Sequence, residues 1–560
     1  MSKILLIERW IESANRRPRF WLVALALLMA VQISPWLYPA VDGCLYLKTI
    51  RDFLSAHNRL DFSCYVPPGY LPFVAPAFVF GDRPFLAVAI LQWLMAVALI
   101  GGLYVWARRQ FPATAVLFTT VVMVNISMWT YYRRPLKEVA SMAILMWTVN
   151  LMHILLEERR LSRIIGLTAA VAFLTSYLTL IRYSAISLAV GFTLAAALLA
   201  RRRAFGWSRA LAMSSLVGVS AGAALFGWLY YDKIHGGGQY WQEVASVYSE
   251  AKDGPEAAPA PTPEAAPLAR SASSALTLSS TPSGPPLRTA LEPPPQVDST
   301  GVRRTAEPVA APLWRLLHGL IYRINDVGCL TVPGLWKSSV PSVPTLTVPM
   351  AVFVLLFVVI GFGWLKVVRR KLDVLALTLP VYILIYTHWV CDQPGGRFML
   401  LMLPIITACA WYGVGVLVRR QMLVFGLLVL AHLGQSTAYW LLIDAPRAYR
   451  LHQNWAMVDR LAEEIRRRPG QVAIADAIQS DCQGLWLELD WGCRLQGLEK
   501  ALAPSVTWVV DEAGKTPVEG FSVCRVDGPV QLLHRNTPRP LTPSMVGKID
   551  SSSREAIGNP

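Results

Sequence analysis

Charged residues are scarce in this sequence, and that scarcity excludes most classes of soluble protein. Only 16% of the 560 residues are Asp, Glu, Lys or Arg, whereas 54% are hydrophobic. Soluble domains carry about 25% charged residues. Together with a mean hydropathy of +0.42, this composition excludes an ordinary cytosolic enzyme. A signal peptide followed by a soluble body would not produce such an average either.

Motifs for metals and nucleotides are also missing. The eight cysteines contain no C-x-x-C pair and the histidines have no ligand-like spacing, so no zinc site is predicted. No glycine-rich nucleotide-binding motif is present, and no internal repeat is recognisable. No small-x-small cleavage site follows the first apolar stretch, which is therefore expected to remain as a membrane span.

What the sequence does contain is a series of apolar stretches of about twenty residues, each long enough to cross a bilayer. They predict a mainly α, polytopic helical membrane protein with about eleven transmembrane helices. The spans are expected near 20–37, 85–106, 111–129, 139–156, 164–181, 185–200, 211–231, 348–365, 374–390, 398–418 and 422–443.

The formal net charge is +16, which could suggest nucleic acid as a partner. The basic residues lie on one side of the predicted topology, however, and this distribution explains the charge without nucleic acid. If the helices alternate in direction, six basic clusters fall on the same side, which the positive-inside rule makes cytoplasmic. This predicts an inner (plasma) membrane protein with a cytoplasmic N-terminus and an extracytoplasmic C-terminus. The clusters are Arg16, Arg17 and Arg19; Arg108 and Arg109; Arg159, Arg160 and Arg163; Arg201 to Arg203; Arg369 to Lys371; and Arg419 and Arg420.

This topology divides the chain into five parts. They are a cytoplasmic N-terminus at 1–19, a transmembrane core at 20–231 with its first outer loop at 38–84, an outer segment at 232–347, further transmembrane helices at 348–443, and an extracytoplasmic α/β domain with a tail at 444–560. In the outer segment, the Pro/Ala/Ser-rich tract 254–311 is expected to be disordered. The apolar stripe at 313–324 indicates a helix lying in the membrane interface or packed on the protein body.

The C-terminal part shows both helical and strand patterns. Val458, Leu461 and Ile465 predict one amphipathic helix, and strand-like runs follow at 472–475, 485–489, 508–510, 521–526 and 530–533. On the outer side, Cys44–Cys64 and Cys482–Cys493 are the simplest disulfide pairings. Buried free thiols are the alternative.

Asp42 is the first candidate for chemistry, because it lies a few residues after the first span. A carboxylate at the membrane surface can act as a general base on a hydroxyl group, but Asp42 also precedes a helical pattern and can serve as its N-cap. In the same loop, the run from Tyr65 to Pro72, which includes Tyr70, predicts a rigid bend. That bend has either a structural or a binding role.

Basic residues on the outer side form the second group of candidates. Arg133 and Arg134 run against the positive-inside trend and suit an anionic lipid or phosphate, unless they form an ion pair with Glu138. Arg182 and Arg397 lie at the outer ends of spans, and His388 is near the latter. Snorkelling explains each arginine singly. Together with Asp42 and Glu138, these residues suit a site for a phosphate-bearing lipid and a hydroxyl acceptor.

In order and placement, these motifs resemble the GT-C superfamily of polytopic glycosyltransferases, especially the branch of bacterial protein O-mannosyltransferases and aminoarabinose transferases. Asp42 in V-D-G-C-L-Y-L-K-T-I-R-D-F matches the acidic residue after the first span, and the P-P-G-Y turn ending at Tyr70 follows. Pro135 with Glu138, then Arg182, then the segment from Arg397 to Pro404, match the later motifs. The resemblance covers about 20–440 without the Pro-rich tract.

The resemblance implies transfer of a sugar from a polyprenyl-phosphate-linked donor to a hydroxyl acceptor (lipid, glycan or protein) at the extracytoplasmic face, with inversion. Asp42 would act as base, and Arg182 and Arg397, with Arg133 or Arg134, would hold the lipid phosphate. Gly43 replaces a second carboxylate found in many relatives, so a divalent cation as cofactor is left open. The alternatives are a transporter of a lipid-linked glycan, or a non-catalytic envelope assembly protein.

Overall fold

A computed structural model confirms a polytopic helical protein with a small sheet near its C-terminus. The chain divides into two compact units. The first comprises Met1–Asp61, Val66–Asn150 and Met422–Pro560, and the second comprises Phe62–Tyr65 and Leu151–Gln421. The structure describes residues 13, 15–31, 33, 41–55, 68–202, 205–235, 311–332, 348–387, 394–468, 470–475, 482, 484–489, 495–497, 506–515, 521–527 and 529–535.

Helices make up most of the described chain. They are α1 (Pro18–Ala30), α2 (Val41–Ser55), α3 (Leu71–Val74), α4 (Phe85–Gln110), α5 (Ala115–Val124), α6 (Ile126–Tyr132), α7 (Glu138–Glu157), α8 (Leu161–Ile181), α9 (Ser187–Arg201), α10 (Trp207–His235), α11 (Ala311–Thr331), α12 (Val348–Lys371), α13 (Val374–Thr387), α14 (Leu403–Leu417), α15 (Gln421–Tyr439), α16 (Ala445–Gln453), α17 (Trp455–Arg467) and α18 (Leu485–Glu488). Short 3-10 segments at Pro68–Tyr70, Ala75–Phe80, Tyr183–Ile186 and Pro394–Met402, and a π-helical turn at Trp440–Asp444, connect some of them.

The predicted spans correspond to helices throughout the described residues. Eight segments are long and apolar enough to cross a membrane, and α5 with α6 makes a ninth if this pair, bent by 60°, counts as one. The shorter apolar helices α1 and α13 coincide with the two remaining predicted spans. The bend follows from Asn125, whose side chain accepts a hydrogen bond from the Ser127 amide at 3.0 Å and so starts a new helix.

Helices of the second unit differ in how deeply they are enclosed. The segment Gly396–Leu417 is 72% buried, whereas Trp207–Ile234 is only 22% buried, and its outward side chains Val219 and Phe226 are exposed. Since apolar side chains are stable against lipid, α10 has the character of a peripheral, lipid-facing helix.

The predicted helical stripe at 313–324 lies in the longer helix α11. This helix contacts the 3-10 segment Pro394–Met402 and helices α12 and α13. Val327, Cys329 and Leu330 are buried in its C-terminal half. The C-terminal half of α11, which follows the stripe, therefore packs on the protein body.

The C-terminal domain combines the predicted amphipathic helix, α17, with a five-stranded sheet. The strands are β1 (Gln471–Ile474), β2 (Leu495–Gly497), β3 (Val506–Glu512), β4 (Phe521–Asp527) and β5 (Val530–Arg535). Their order in the sheet is β2-β1-β3-β5-β4. β1 is parallel to β2 and β3, and β5 is antiparallel to β3 and β4.

One strand prediction in this domain is wrong. The run 485–489 contains the helix α18 instead of a strand, because the amides of Leu487 and Glu488 bond locally to the Gly484 carbonyl, at 2.9 and 3.1 Å. Leu485 and Leu487 of this run are buried in the short helix. Strand β2 was not predicted.

Candidate active site

Asp42, the predicted general base, lies in the first turn of α2, where its negative charge suits the helix dipole. The helix already includes Val41, so Asp42 belongs to the helix and does not precede it as a cap. Asp42 is half-buried. The structure thus presents a carboxylate at the start of a defined helix in the first unit.

Gly43 brings the start of α2 against the turn that contains the predicted arginines. A Cβ at Gly43 would lie 2.6 Å from Pro135 Cγ, closer than carbon atoms pack. Glycine is therefore required by the close approach of α2 to Pro135. The same contact explains why a second acidic side chain at this position would not fit the present packing.

Tyr70 connects the P-P-G-Y turn to the same region of the first unit. Gln92, buried in α4, donates from Nε2 to the Tyr70 hydroxyl and the Leu136 carbonyl at 2.9 Å each, and to the Arg134 carbonyl at 3.1 Å. The Tyr70 ring packs edge-on against Tyr46 of α2, with ring centres 5.3 Å apart. Gln92, a polar residue inside an apolar span, was missed as a functional candidate although its polarity was a signal.

Arg133 forms an ion pair with Asp444, which lies in the π-helical turn. Its Nη2 lies 2.7 Å from Asp444 Oδ2, and both side chains are 8% exposed. Arg134 Nη2 lies 3.9 Å from the other Asp444 oxygen. Burial lowers the pKa of Arg133 to about 10, and the Asp444 carboxylate opposes this shift. Arg133 therefore stays protonated at neutral pH.

Glu138 begins α7 and is buried, with 2% of the residue exposed. It follows directly on the turn whose carbonyls bond Gln92. Asp42, Tyr70, Arg133, Arg134 and Glu138 thus all belong to the first unit. Within that unit, the contacts through Pro135, Gln92 and Tyr46 join the elements that carry them.

Arg182, in the second unit, directly follows α8 as its C-cap residue and is buried at 5% exposure. Its Nε donates to the Tyr386 hydroxyl at 3.4 Å, and its Nη2 donates to the Arg397 carbonyl at 3.3 Å. The Tyr386 hydroxyl in turn donates to Ser184 Oγ at 3.0 Å. The guanidinium of Arg182 therefore contacts the backbone of Arg397. Arg397 is itself half-buried.

A second buried arginine, Arg323 on α11, lies beside these residues. Its guanidinium carbon is 5.4 Å from the ring centre of Phe398 and 5.9 Å from that of Tyr386, and its Nη1 is 3.0 Å from Asp326 Oδ2. The sequence analysis did not select Arg323 or Asp326. Two charges three residues apart within an apolar helical stripe were the available signal.

An apolar cavity of about 470 Å³ lies within the second unit, between α11, α12 and α13. Pro380 lacks the amide that would bond the Ala376 carbonyl, and this carbonyl instead accepts from Trp364 Nε1 at 2.6 Å. The cavity is lined by Leu317, Leu320, Val327, Phe357, Ile360, Gly361, Trp364, Leu379, Pro380, Ile383, Leu384, Thr387 and Ile406.

Two predicted site residues, Tyr65 and His388, lie outside the described residues, as do Cys64 and Cys493 of the suggested disulfides. Cys44 and Cys482 are buried. Among the described residues, no three His, Cys, Asp or Glu side chains are grouped as they would be around a metal ion.

Comparison with known proteins gives no match to any family model or curated protein. Solved structures do match. They include the Archaeoglobus fulgidus oligosaccharyltransferase tethered with an acceptor peptide (12% identity, TM-score 0.43, 88% of this chain and 69% of that chain). Another is ArnT from Cupriavidus metallidurans bound to undecaprenyl phosphate (11% identity, TM-score 0.36, 91% of this chain and 97% of that chain).

A third matching structure is AglB from Archaeoglobus fulgidus in complex with an inhibitory peptide and a dolichol-phosphate (12% identity, TM-score 0.41, 88% of this chain and 70% of that chain). These proteins are GT-C superfamily membrane glycosyltransferases, the superfamily that the sequence motifs resemble.

Proposed function

We propose that this chain is a membrane glycosyltransferase that transfers a sugar from a polyprenyl-phosphate-linked donor to a hydroxyl acceptor at the extracytoplasmic face, with inversion. The observation that carries the proposal is Asp42, a carboxylate in the first turn of a helix held against the Arg133–Glu138 turn through Gly43 and Pro135. A base so fixed suits attack by a hydroxyl group.

Asp42 accepts the proton of the acceptor hydroxyl as the acceptor oxygen attacks the anomeric carbon. The new carbon–oxygen bond forms on the face opposite the phosphate, and the bond from the anomeric carbon to the phosphate oxygen breaks. The electron pair of that bond leaves with the polyprenyl phosphate. Loss of a general base typically costs about 10²- to 10⁴-fold in rate.

The second unit supplies groups suited to the lipid donor. Arg182 and Arg323 are buried guanidinium groups that surround Tyr386, and charge-assisted contacts of arginine with phosphate are strong. In the same unit, the apolar cavity lined by α11, α12 and α13 suits an isoprenoid chain. Its Thr387 follows Tyr386 directly along α13. We therefore assign phosphate binding to Arg182 and Arg323, and chain binding to this cavity.

The inner membrane as location, with the C-terminal domain outside, is part of the same proposal. The experiment is a deletion of the gene in its own host, followed by mass spectrometry of envelope glycolipids and glycoproteins. We expect one sugar mass to disappear and to return with the wild-type gene, which identifies sugar and acceptor together. Unchanged glycans, with the protein present in wild-type membranes, would contradict a transferase and favour transport or assembly.

A further inference from the structure

A carboxylate of the C-terminal domain holds the helix that carries Asp42. Glu488, the last residue of α18, is buried at 8% exposure. Arg51 Nη1 lies 3.3 Å from its Oε2, and Arg83 Nε lies 3.0 Å from its Oε1. Arg466 Nη2 lies 3.5 Å from Oε2. Arginines from α2, from the turn before α4 and from α17 therefore meet at one carboxylate.

The contact with α2 has two points. Besides its ion pair with Glu488, Arg51 donates from Nη2 to the Leu487 carbonyl at 2.5 Å. A planar guanidinium held at two points has a defined orientation. Cys44, near the start of the same helix, is buried. Burial is the main cause that raises the pKa of its thiol, and the carboxylates of Glu488 and Asp42 raise this pKa further.

Arg83 attaches the turn before α4 to the same domain. It also pairs with Asp459 of α17, and its guanidinium lies 4.4 Å from the ring centre of Trp455. Glu488 is the partner that Arg51 and Arg83 share. Removing its charge leaves partly buried guanidinium groups without their common counter-charge, which is costly for buried ion pairs.

We propose that Glu488 is a positioning residue for Asp42. Its oxygens are engaged by arginines, so it acts through them: it holds the C-terminal half of α2, while Gly43 packs the other end on Pro135. The helix transmits this placement to its first turn, where Asp42 lies. The inference rests on the proposed role of Asp42 and gives the C-terminal domain a part in the reaction.

The first arm of the test measures position without using activity. Asp42→Cys is made alone and combined with Glu488→Gln, and labelling by a membrane-impermeant maleimide is quantified by mass spectrometry of the peptide containing position 42. We expect the labelling rate to change several-fold with Glu488→Gln. Glu463→Gln, at an exposed glutamate of α17 paired with Arg467, is the matched control and should leave the rate unchanged. An equal rate in all backgrounds would overturn the inference.

The second arm measures transfer of the sugar identified by the gene deletion. We expect Glu488→Gln to lower kcat about 10- to 100-fold, since misplacement by about 1 Å costs rates of this order. The KM for the lipid donor should not change, and Glu488→Asp should recover part of kcat. If Glu488→Gln does not reach the membrane, Arg51→Gln replaces it in both arms, because it leaves Arg83 and Arg466 on Glu488.

The two proposals fail in different ways. If Asp42→Asn is fully active, Asp42 is not the base, yet the labelling arm still decides whether Glu488 places the start of α2. If Asp42→Asn is inactive while Glu488→Gln keeps wild-type kcat and wild-type labelling, the positioning role alone is wrong.

Discussion

At the scale of single residues, the surroundings of Asp42 depend on a glycine, Gly43, and on the buried ion pair between Arg133 and Asp444. Gly43 lets α2 approach Pro135, and Arg133, two residues before Pro135, is paired with Asp444. Both contacts hold the turn that faces the start of α2. Both are therefore expected to govern stability as well as placement.

Adding a methyl group at Gly43 should destabilise the protein. A Cβ would meet the rigid Pro135 ring, and overpacking of this kind costs about 1–3 kcal/mol. We expect a lower Tm for Gly43→Ala in detergent. Gly166→Ala is the control, because a Cβ there meets nothing within 4 Å and alanine favours a helix over glycine by about 0.5–1 kcal/mol. Equal Tm values for both variants would contradict this account of Gly43.

Breaking the ion pair of Arg133 with Asp444 should cost more than removing it whole. Arg133→Met leaves the buried Asp444 carboxylate with only the longer contact to Arg134 at 3.9 Å, with an expected loss of up to about 3–5 kcal/mol in stability. The double variant Arg133→Met with Asp444→Leu removes both charges and should regain much of that loss. Thermal unfolding of the purified protein measures both. Additive losses would show that the two residues do not interact.

At the scale of secondary-structure elements, two irregularities in the apolar helices have a local cause. Asn125 ends α5 and starts α6 by accepting from the Ser127 amide. Pro380 removes one amide from α13, and Trp364 of α12 bonds the freed Ala376 carbonyl. In a membrane each such group needs a partner, so Trp364 links α12 to α13 beside the apolar cavity.

Trp364→Phe should therefore destabilise the protein by about 0.6–2 kcal/mol, the range for hydrogen bonds between helices within membranes. Combined with Pro380→Ala, which restores the amide in α13, the same change should cost less, because the Ala376 carbonyl regains a helical partner. The measurement is a double-mutant cycle of unfolding free energies. A Trp364→Phe cost independent of residue 380 would contradict this role.

The C-terminal domain contains an element contact with a defined pH dependence. Arg460 of α17 holds Asp527 of β4 with bonds of 2.5 and 2.7 Å, and this lowers the pKa of Asp527. A lowered pKa stabilises the folded state above the unfolded value of roughly 4, and this stabilisation is lost as pH falls through the folded pKa.

We expect Asp527→Asn to reduce hydrogen-exchange protection of β4 at pH 7, with the difference from wild type shrinking as the pH falls below the unfolded pKa of roughly 4. Comparing the two proteins at the same pH cancels the intrinsic exchange rate. A difference that persists unchanged at acid pH would show that the carboxylate charge is not what the contact requires.

At the scale of the whole molecule, the spans could be predicted because hydropathy and length suffice to recognise a membrane helix. Each predicted span matches a described helix, but the bend at Asn125 and the helix α18 were missed, since both depend on local hydrogen bonds. The partners of buried charges were also missed. Arg133 and Asp444, or Arg51 and Glu488, lie hundreds of residues apart in the chain, and a single sequence contains no signal that pairs them.

The site itself was predictable only as a set of candidates. Their residue types and order pointed to Asp42, Arg133 and Arg182. Arg323 was not predicted because its helix, α11, lies outside the motifs. Glu488 was not predicted because it belongs to the C-terminal domain.

The most direct test of the central claim compares two aspartates of the same helix. Asp42→Asn and Asp52→Asn are each used to complement the gene deletion, and the sugar mass is quantified relative to protein in the membrane. Asp52, near the end of α2, has a side chain that is 42% exposed and lies 3.9 Å from Arg51 Nε. An exposed ion pair of this length contributes little, and Asn keeps the size of the side chain beside Arg51. We predict that Asp52→Asn restores the sugar fully and Asp42→Asn restores almost none. Full restoration by Asp42→Asn, with normal membrane levels, would contradict a transferase that uses Asp42 as its base.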